Sequence, residues 1–191
     1  MKEIKDIELI KKQLQLAKSM IGQKIVKIIF YLEATDTEMS EQQNSYGKSL
    51  LNGIDVETTR NVFSIGNRYT NFGYGLSIGE GKTNEIEVFQ DEKMPIEYQT
   101  SVTGEEIEDL KIYWMEIPFE GEHGKYPQEI EINTKNGFLL LSSIEVNNGK
   151  INTEFTNELL VIDESENAKK LKLSKFDLGN NGRMILTNIE N

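Results

Sequence analysis

The chain has no cysteine, and its 191 residues include only one histidine, one tryptophan and three prolines. Without cysteine there is no disulfide framework, no thiolate metal site and no cysteine nucleophile. The single histidine, His123, would have to serve every scheme of histidine-assisted hydrolysis or metal ligation, and no G-x-S-x-G nucleophile elbow is present. No stretch approaches the roughly 18 consecutive apolar residues of a membrane span. The opening "MKEIKDIELIKKQLQLAKSM" breaks its apolar residues with charge where an export signal carries an unbroken apolar run. These absences point to a soluble, cytoplasmic protein without a membrane partner. The apolar content of 37% is enough for one domain over residues 1–191.

Positive charge is also scarce, with 21 basic residues against 32 acidic ones and a net charge of −11. The imbalance is local. Fifteen acids and four lysines lie between Glu80 and Glu131, and the rest of the chain holds 17 residues of each sign. A nucleic-acid backbone needs a concentrated basic surface, so nucleic acid is excluded as a direct partner.

What is present reads as a helix followed by strands. Ile4, Ile7, Ile10, Leu14, Ala17 and Ile21 recur at spacings of three and four over residues 2–21, and Gly22 follows as a helix C-cap. "KIVKIIFYL" (24–32) is short and rich in β-branched and aromatic residues, which predicts a strand for this helix to pack on. The polar run from Glu33 to Tyr46 reads as a loop. Asn-Gly occurs at 52–53, 136–137, 148–149 and 181–182, a pair suited to type I′ hairpin turns.

"QEIEINTKNGFLLLSSIEVNNGKINTEF" thus predicts three strands joined by two tight turns, with "FLLLSSIEV" at the centre of the sheet because it is apolar on both faces. "KIYWMEIPF" (111–119), "ELLVID" (158–163) and "RMILTNI" are further strand candidates, and a short helix is expected after Ser165 as N-cap. The fold class that follows is α+β, an N-terminal amphipathic helix on one large, mostly antiparallel sheet with Asn-Gly hairpins.

Several motifs bear on chemistry. "GYGLSIGEGKT" (73–83) comes near the phosphate-binding pattern G-x-x-x-x-G-K-[ST], but the residue five before Gly81 is Leu76, and the following "NEIEVF" alternates like a strand. A glycine-rich strand end is the better reading. Arg68, Tyr69, Phe72 and Tyr74 in "NRYTNFGYG", with Trp114, could line an aromatic groove for a carbohydrate or small ligand; alternating aromatics in a sheet core are the competing reading. His123, in "FEGEHGKYP" beside Glu116, Glu120 and Glu122, reads as a solvated loop residue rather than a catalytic or metal-binding one. No cofactor, metal or catalytic residue is expected.

The acids remain. If Glu105, Glu106, Glu108, Asp109, Glu116, Glu120 and Glu122 gather on one side, they form a negative surface that attracts a basic protein. "YWMEIPFEGEHGKYPQEIEINTKNGFLLLSSIEVNNGKINTEFTNELLVIDESENA", together with "NFGYGLSIGEG", resembles bacterial immunity-type proteins of polymorphic toxin systems and their uncharacterised relatives. The resemblance covers about half the chain. It implies a small cytosolic protein that neutralises a toxin partner by binding it, without catalytic residues.

Overall fold

A computed structural model describes residues 2–33, 43–44, 46–50, 53–70, 73–83, 93–119, 122–147, 150–152, 158–177 and 183–185. The chain opens with α1 (Lys2–Met20) and β1 (Ile25–Glu33), followed by the short strands β2 (Gln43–Asn44) and β3 (Gly47–Leu50). Next come β4 (Ile54–Thr58), β5 (Val62–Thr70), β6 (Gly73–Glu80), β7 (Lys93–Tyr98), the long β8 (Ile107–Phe119) and β9 (Glu122–Thr134). After β10 (Phe138–Ser142), β11 (Glu145–Asn147), β12 (Lys150–Asn152) and β13 (Leu159–Ile162), the helix α2 (Ser165–Lys170) and a 3-10 turn (Ser174–Asp177) lead to β14 (Arg183–Ile185).

The class is α+β, but the single large sheet expected from the sequence is in fact two. One has five strands in the order β6-β5-β4-β1-β7, the other seven in the order β14-β8-β9-β10-β13-β3-β2, and β11-β12 form a separate hairpin. All pairings between the described strands are antiparallel. The sheets lie face to face over one core, to which Ile28, Phe30, Val56 and Phe63 come from the first and Ile112, Trp114, Ile130, Leu139 and Leu141 from the second. "FLLLS" is buried at every position and stands fourth of seven, the central strand, as its two apolar faces require.

The Asn-Gly pairs divide. Asn148-Gly149 falls between Asn147 and Lys150, which face each other in β11 and β12, so two residues remain for the connection. Asn136-Gly137 also ends a hairpin, but neither residue has positive φ. That turn is closed by Thr134, whose hydroxyl accepts the Gly137 amide at 2.9 Å and whose own amide donates to the Gly137 carbonyl at 3.0 Å. Glycine is needed there for another reason, because a Cβ would run into the Ser101 carbonyl. Gly53 makes no hairpin. With φ of +128° it carries the chain from the seven-stranded sheet to the five-stranded one, and a Cβ would stand 2.6 Å from the Ile65 carbonyl oxygen. Asn181-Gly182 and the polar residues 34–42 lie outside the described residues.

α1 closes one side of the sandwich, packing on β6 and β8. Among its described side chains, those of residues 11–20, the buried ones are Gln13, Ala17 and Met20, whereas Ile21 stays 42% exposed once the helix has ended. Gln13 sits against the edge strand β6, its side-chain oxygen accepting the Ile78 amide at 2.6 Å and its nitrogen donating to the Ile78 carbonyl at 3.2 Å. Gly22, at φ of +78°, turns the chain and donates its amide to Ile107 at 2.8 Å. Near the other end of the chain, Glu164 rather than Ser165 occupies the N-cap of α2. This helix and residues 171–177 cover the outer face of the seven-stranded sheet over Phe138, Leu140, Leu160 and Ile162.

Candidate functional site

The structure arranges the acids as two groups along the β8–β9 ribbon. Glu105, Glu106, Glu108 and Asp109 stand where β8 begins, with Glu106 and Glu108 exposed and Glu105 and Asp109 half-buried. Glu116 follows Asp109 by seven strand residues, about 23 Å at the rise of an extended chain. Glu122 is further along still, facing Phe119 at the far turn, and Glu120 lies outside the described residues. Asp109 is committed to Lys111 at 2.8 Å. That hydrogen bond raises the Lys111 ammonium above its usual range against an opposing desolvation, with the charges of Asp109 and Glu131 assisting. Glu105 is met by the Asn136 side-chain nitrogen at 3.4 Å. Among the described residues, Glu105, Glu106, Glu108 and Glu164 form no ion pair.

A second acidic segment joins the first group. The Ser101 hydroxyl donates to the Phe138 carbonyl at 3.0 Å and lies 3.3 Å from that of Asp163. This places the "DESE" segment (163–166) at the same end of the seven-stranded sheet as the "GEEIED" segment (104–109). Asp163 is half-buried, whereas Glu164 and Glu166 are exposed, Glu166 reaching Lys169 at 3.9 Å.

The aromatic groove is corrected at Trp114. That side chain is fully buried in the core between the sheets, because it shares a face of β8 with Leu110 and Ile112. It cannot line an open groove. In the register of β5 and β6, Tyr69 is paired with Tyr74 and Arg68 with Gly75. The side chains of Arg68, Tyr69 and Tyr74, and all of Phe72, lie outside the described residues. The loop expected around His123 is in part strand: Glu122 begins β9, His123 faces Pro118 and Gly124 faces Ile117.

In "GYGLSIGEGKT" residues 73–80 are strand β6, and Gly81, at φ of +98°, turns the chain out of it. Thr83, which a phosphate cradle would need for its cation, is engaged elsewhere. Its amide and hydroxyl both donate to Asp55 Oδ1, at 2.9 and 2.5 Å. Asp55 is fully buried on β4, and its Oδ2 accepts the Tyr31 hydroxyl from β1 at 2.6 Å. Lys82 comes to 3.9 Å from Glu57, which Lys27 approaches more closely at 3.3 Å.

The seven-stranded sheet repeats this construction. Glu129 and Glu131, which alternate with Ile130 and Ile132 as a solvated face should, are completely buried. Glu131 accepts the Tyr113 hydroxyl at 2.8 Å, the Asn133 side-chain nitrogen at 2.7 Å and the Ser174 hydroxyl. The Ser174 amide donates to Glu129 at 2.5 Å. On each sheet, then, a buried carboxylate takes a tyrosine hydroxyl from the neighbouring strand and a serine or threonine from a segment passing outside. The segment over the seven-stranded sheet is bent, with Lys172 and Ser174 in the left-handed region at φ of 53° and 57° and the buried Leu173 between them.

Burial pushes the Tyr113 hydroxyl well above its ordinary value near 10, the Ser174 hydrogen bond opposing and the Glu131 and Glu129 carboxylates assisting. The folded state therefore holds this proton more tightly than the unfolded chain. The stability it contributes is complete below pH ~10 and drains away as pH rises through the folded value. Alkaline titration of Tm should show a fall beginning near pH 10 that is shallower in Tyr113→Phe; superimposable slopes would contradict the assignment.

Among the described residues no three histidine or acidic side chains are grouped to hold a metal, and no helix is long and apolar enough to cross a membrane. No protein-family model matches the chain, and no curated protein or solved structure matches it either.

Proposed function

We propose that the chain is a non-catalytic binding protein that presents an acidic end to a basic partner protein, acting as an inhibitor of the immunity type. The observation that carries this reading is the convergence of two acidic segments, 104–109 and 163–166, at one end of the seven-stranded sheet through Ser101. The exposed carboxylates there form a negative field, which speeds and orients the approach of a positively charged surface. The turn that presents them is fixed from within. Ile25 donates to the Glu105 carbonyl and Ile107 to that of Gln23, both at 2.9 Å, which ties the start of β8 to the five-stranded sheet. A rigid acidic end of this kind suits recognition of a folded partner with little ordering cost.

Charge reversal tests the reading. A Glu105→Lys, Glu106→Lys, Glu108→Lys variant with an unchanged Tm should lose at least about tenfold in affinity for the basic protein that the wild-type chain retains, and raised salt should weaken the wild-type complex. If the variant holds the same partner equally well, binding does not occur through this end.

A further inference from the structure

Of the four Asn-Gly pairs, Asn136-Gly137 is the one with both residues described, and Asn136 is exposed in the turn between β9 and β10. Such a pair is chemically labile. The backbone nitrogen of the glycine attacks the side-chain carbonyl carbon of the asparagine and loses its proton, ammonia leaves as the new N–C bond forms, and water then opens the cyclic imide to aspartate or isoaspartate. Glycine makes this easy in a loose chain, because without a Cβ it lets the nitrogen swing onto that carbon.

Here the nitrogen is held. The Gly137 amide donates to the Thr134 hydroxyl at 2.9 Å and the Gly137 carbonyl accepts the Thr134 amide at 3.0 Å, so one buried residue grips both polar groups of the glycine. The next residue is fixed as well. The Phe138 amide donates to the Ser101 hydroxyl at 3.2 Å, and the Ser101 carbonyl fills the space where a Cβ of Gly137 would stand. Ring closure proceeds only from a conformer that brings nitrogen and carbon together, and reaching it would break the bond to Thr134 and remove the proton that bond engages.

Charge acts in the same direction. The Asn136 side-chain nitrogen lies 3.4 and 3.5 Å from the two carboxylate oxygens of Glu105. Attack on the side-chain carbonyl builds an oxyanion beside that carboxylate, which opposes it, and the product sets a second carboxylate where an amide now donates. We propose that Asn136-Gly137 is a latent deamidation site, which Thr134 holds closed in the folded chain. Once the turn has opened and reacted, the acidic end gains one negative charge and Glu105 loses its donor.

Peptide mapping by mass spectrometry tests this on the full-length protein, incubated at mildly alkaline pH well below its melting temperature. Cleavage after lysine yields the peptide 136–150, which also carries Asn148-Gly149, so fragment ions assign the change from amide to acid to each asparagine. Asn136 should convert at least about tenfold more slowly in the folded chain than in the same chain held in guanidinium chloride. Thr134→Val, which removes the hydroxyl, should recover most of that difference, and Thr134→Ser, which supplies it again, should return the slow rate. Equal rates in the folded and unfolded wild-type chain overturn the proposal without recourse to any variant. A folded valine variant as slow as wild type also overturns it, as does a serine variant as fast as the valine one, since the hydroxyl would then not be what holds the turn.

Discussion

Asp55→Ala is expected to lower the melting temperature by roughly 10 °C. The substitution removes the acceptor for the Tyr31 hydroxyl and for both the amide and the hydroxyl of Thr83, at a position with no solvent access. Buried donors deprived of an acceptor cost about 1–3 kcal/mol each, so a loss of roughly 3–4 kcal/mol is reasonable, and for a domain of this size each kcal/mol shifts Tm by about 2–4 °C. Asp55→Asn keeps one acceptor oxygen and should recover about half of the loss. Thermal unfolding followed by circular dichroism reads both, and an alanine variant within about 2 °C of wild type would show that Asp55 does not tie the segment down.

The second large effect belongs to Glu131→Leu. Three side chains lose their acceptor at once, Tyr113, Asn133 and Ser174, and a loss of roughly 3–5 kcal/mol is expected from an apolar replacement that strands these donors. Its distribution matters as much as its size. Amide exchange should accelerate first over residues 171–177, whose backbone at Lys172 and Ser174 is held in a costly conformation by these bonds. Protection in β4 and β5 should survive to a higher denaturant concentration. Equal acceleration in both sheets would mean that Glu131 supports the whole fold rather than the covering segment.

Local signals in the sequence reached the elements. The spacing of apolar residues in 2–21 gave a helix, two apolar faces put "FLLLS" at the centre of its sheet, and Asn148-Gly149 fell between the paired ends of β11 and β12. What escaped depends on contacts between distant residues. Two sheets arise because β1 pairs with β4 and β7 while β3 pairs with β13, choices that no local period encodes.

Glu129 and Glu131 alternate with isoleucines as solvated residues do, and the partners that make their burial possible include Ser174, some forty residues later. Trp114 was open to two readings until the register of β8 turned it into the core. The acidic end was half legible. "GEEIED" stands out by composition, but its meeting with "DESE" depends on Ser101, a residue with no distinguishing pattern around it.

The Gln13 side chain offers β6 one N–H and one C=O, the same two groups that an adjoining strand would present to Ile78. At Ile78 a helix thereby takes up border groups that would otherwise be open to another chain, and it does so with one amide instead of the charges or prolines that commonly blunt such borders. The partner of Ile78 at this border is therefore supplied from outside the sheet, by a residue whose neighbours in sequence give no hint of it.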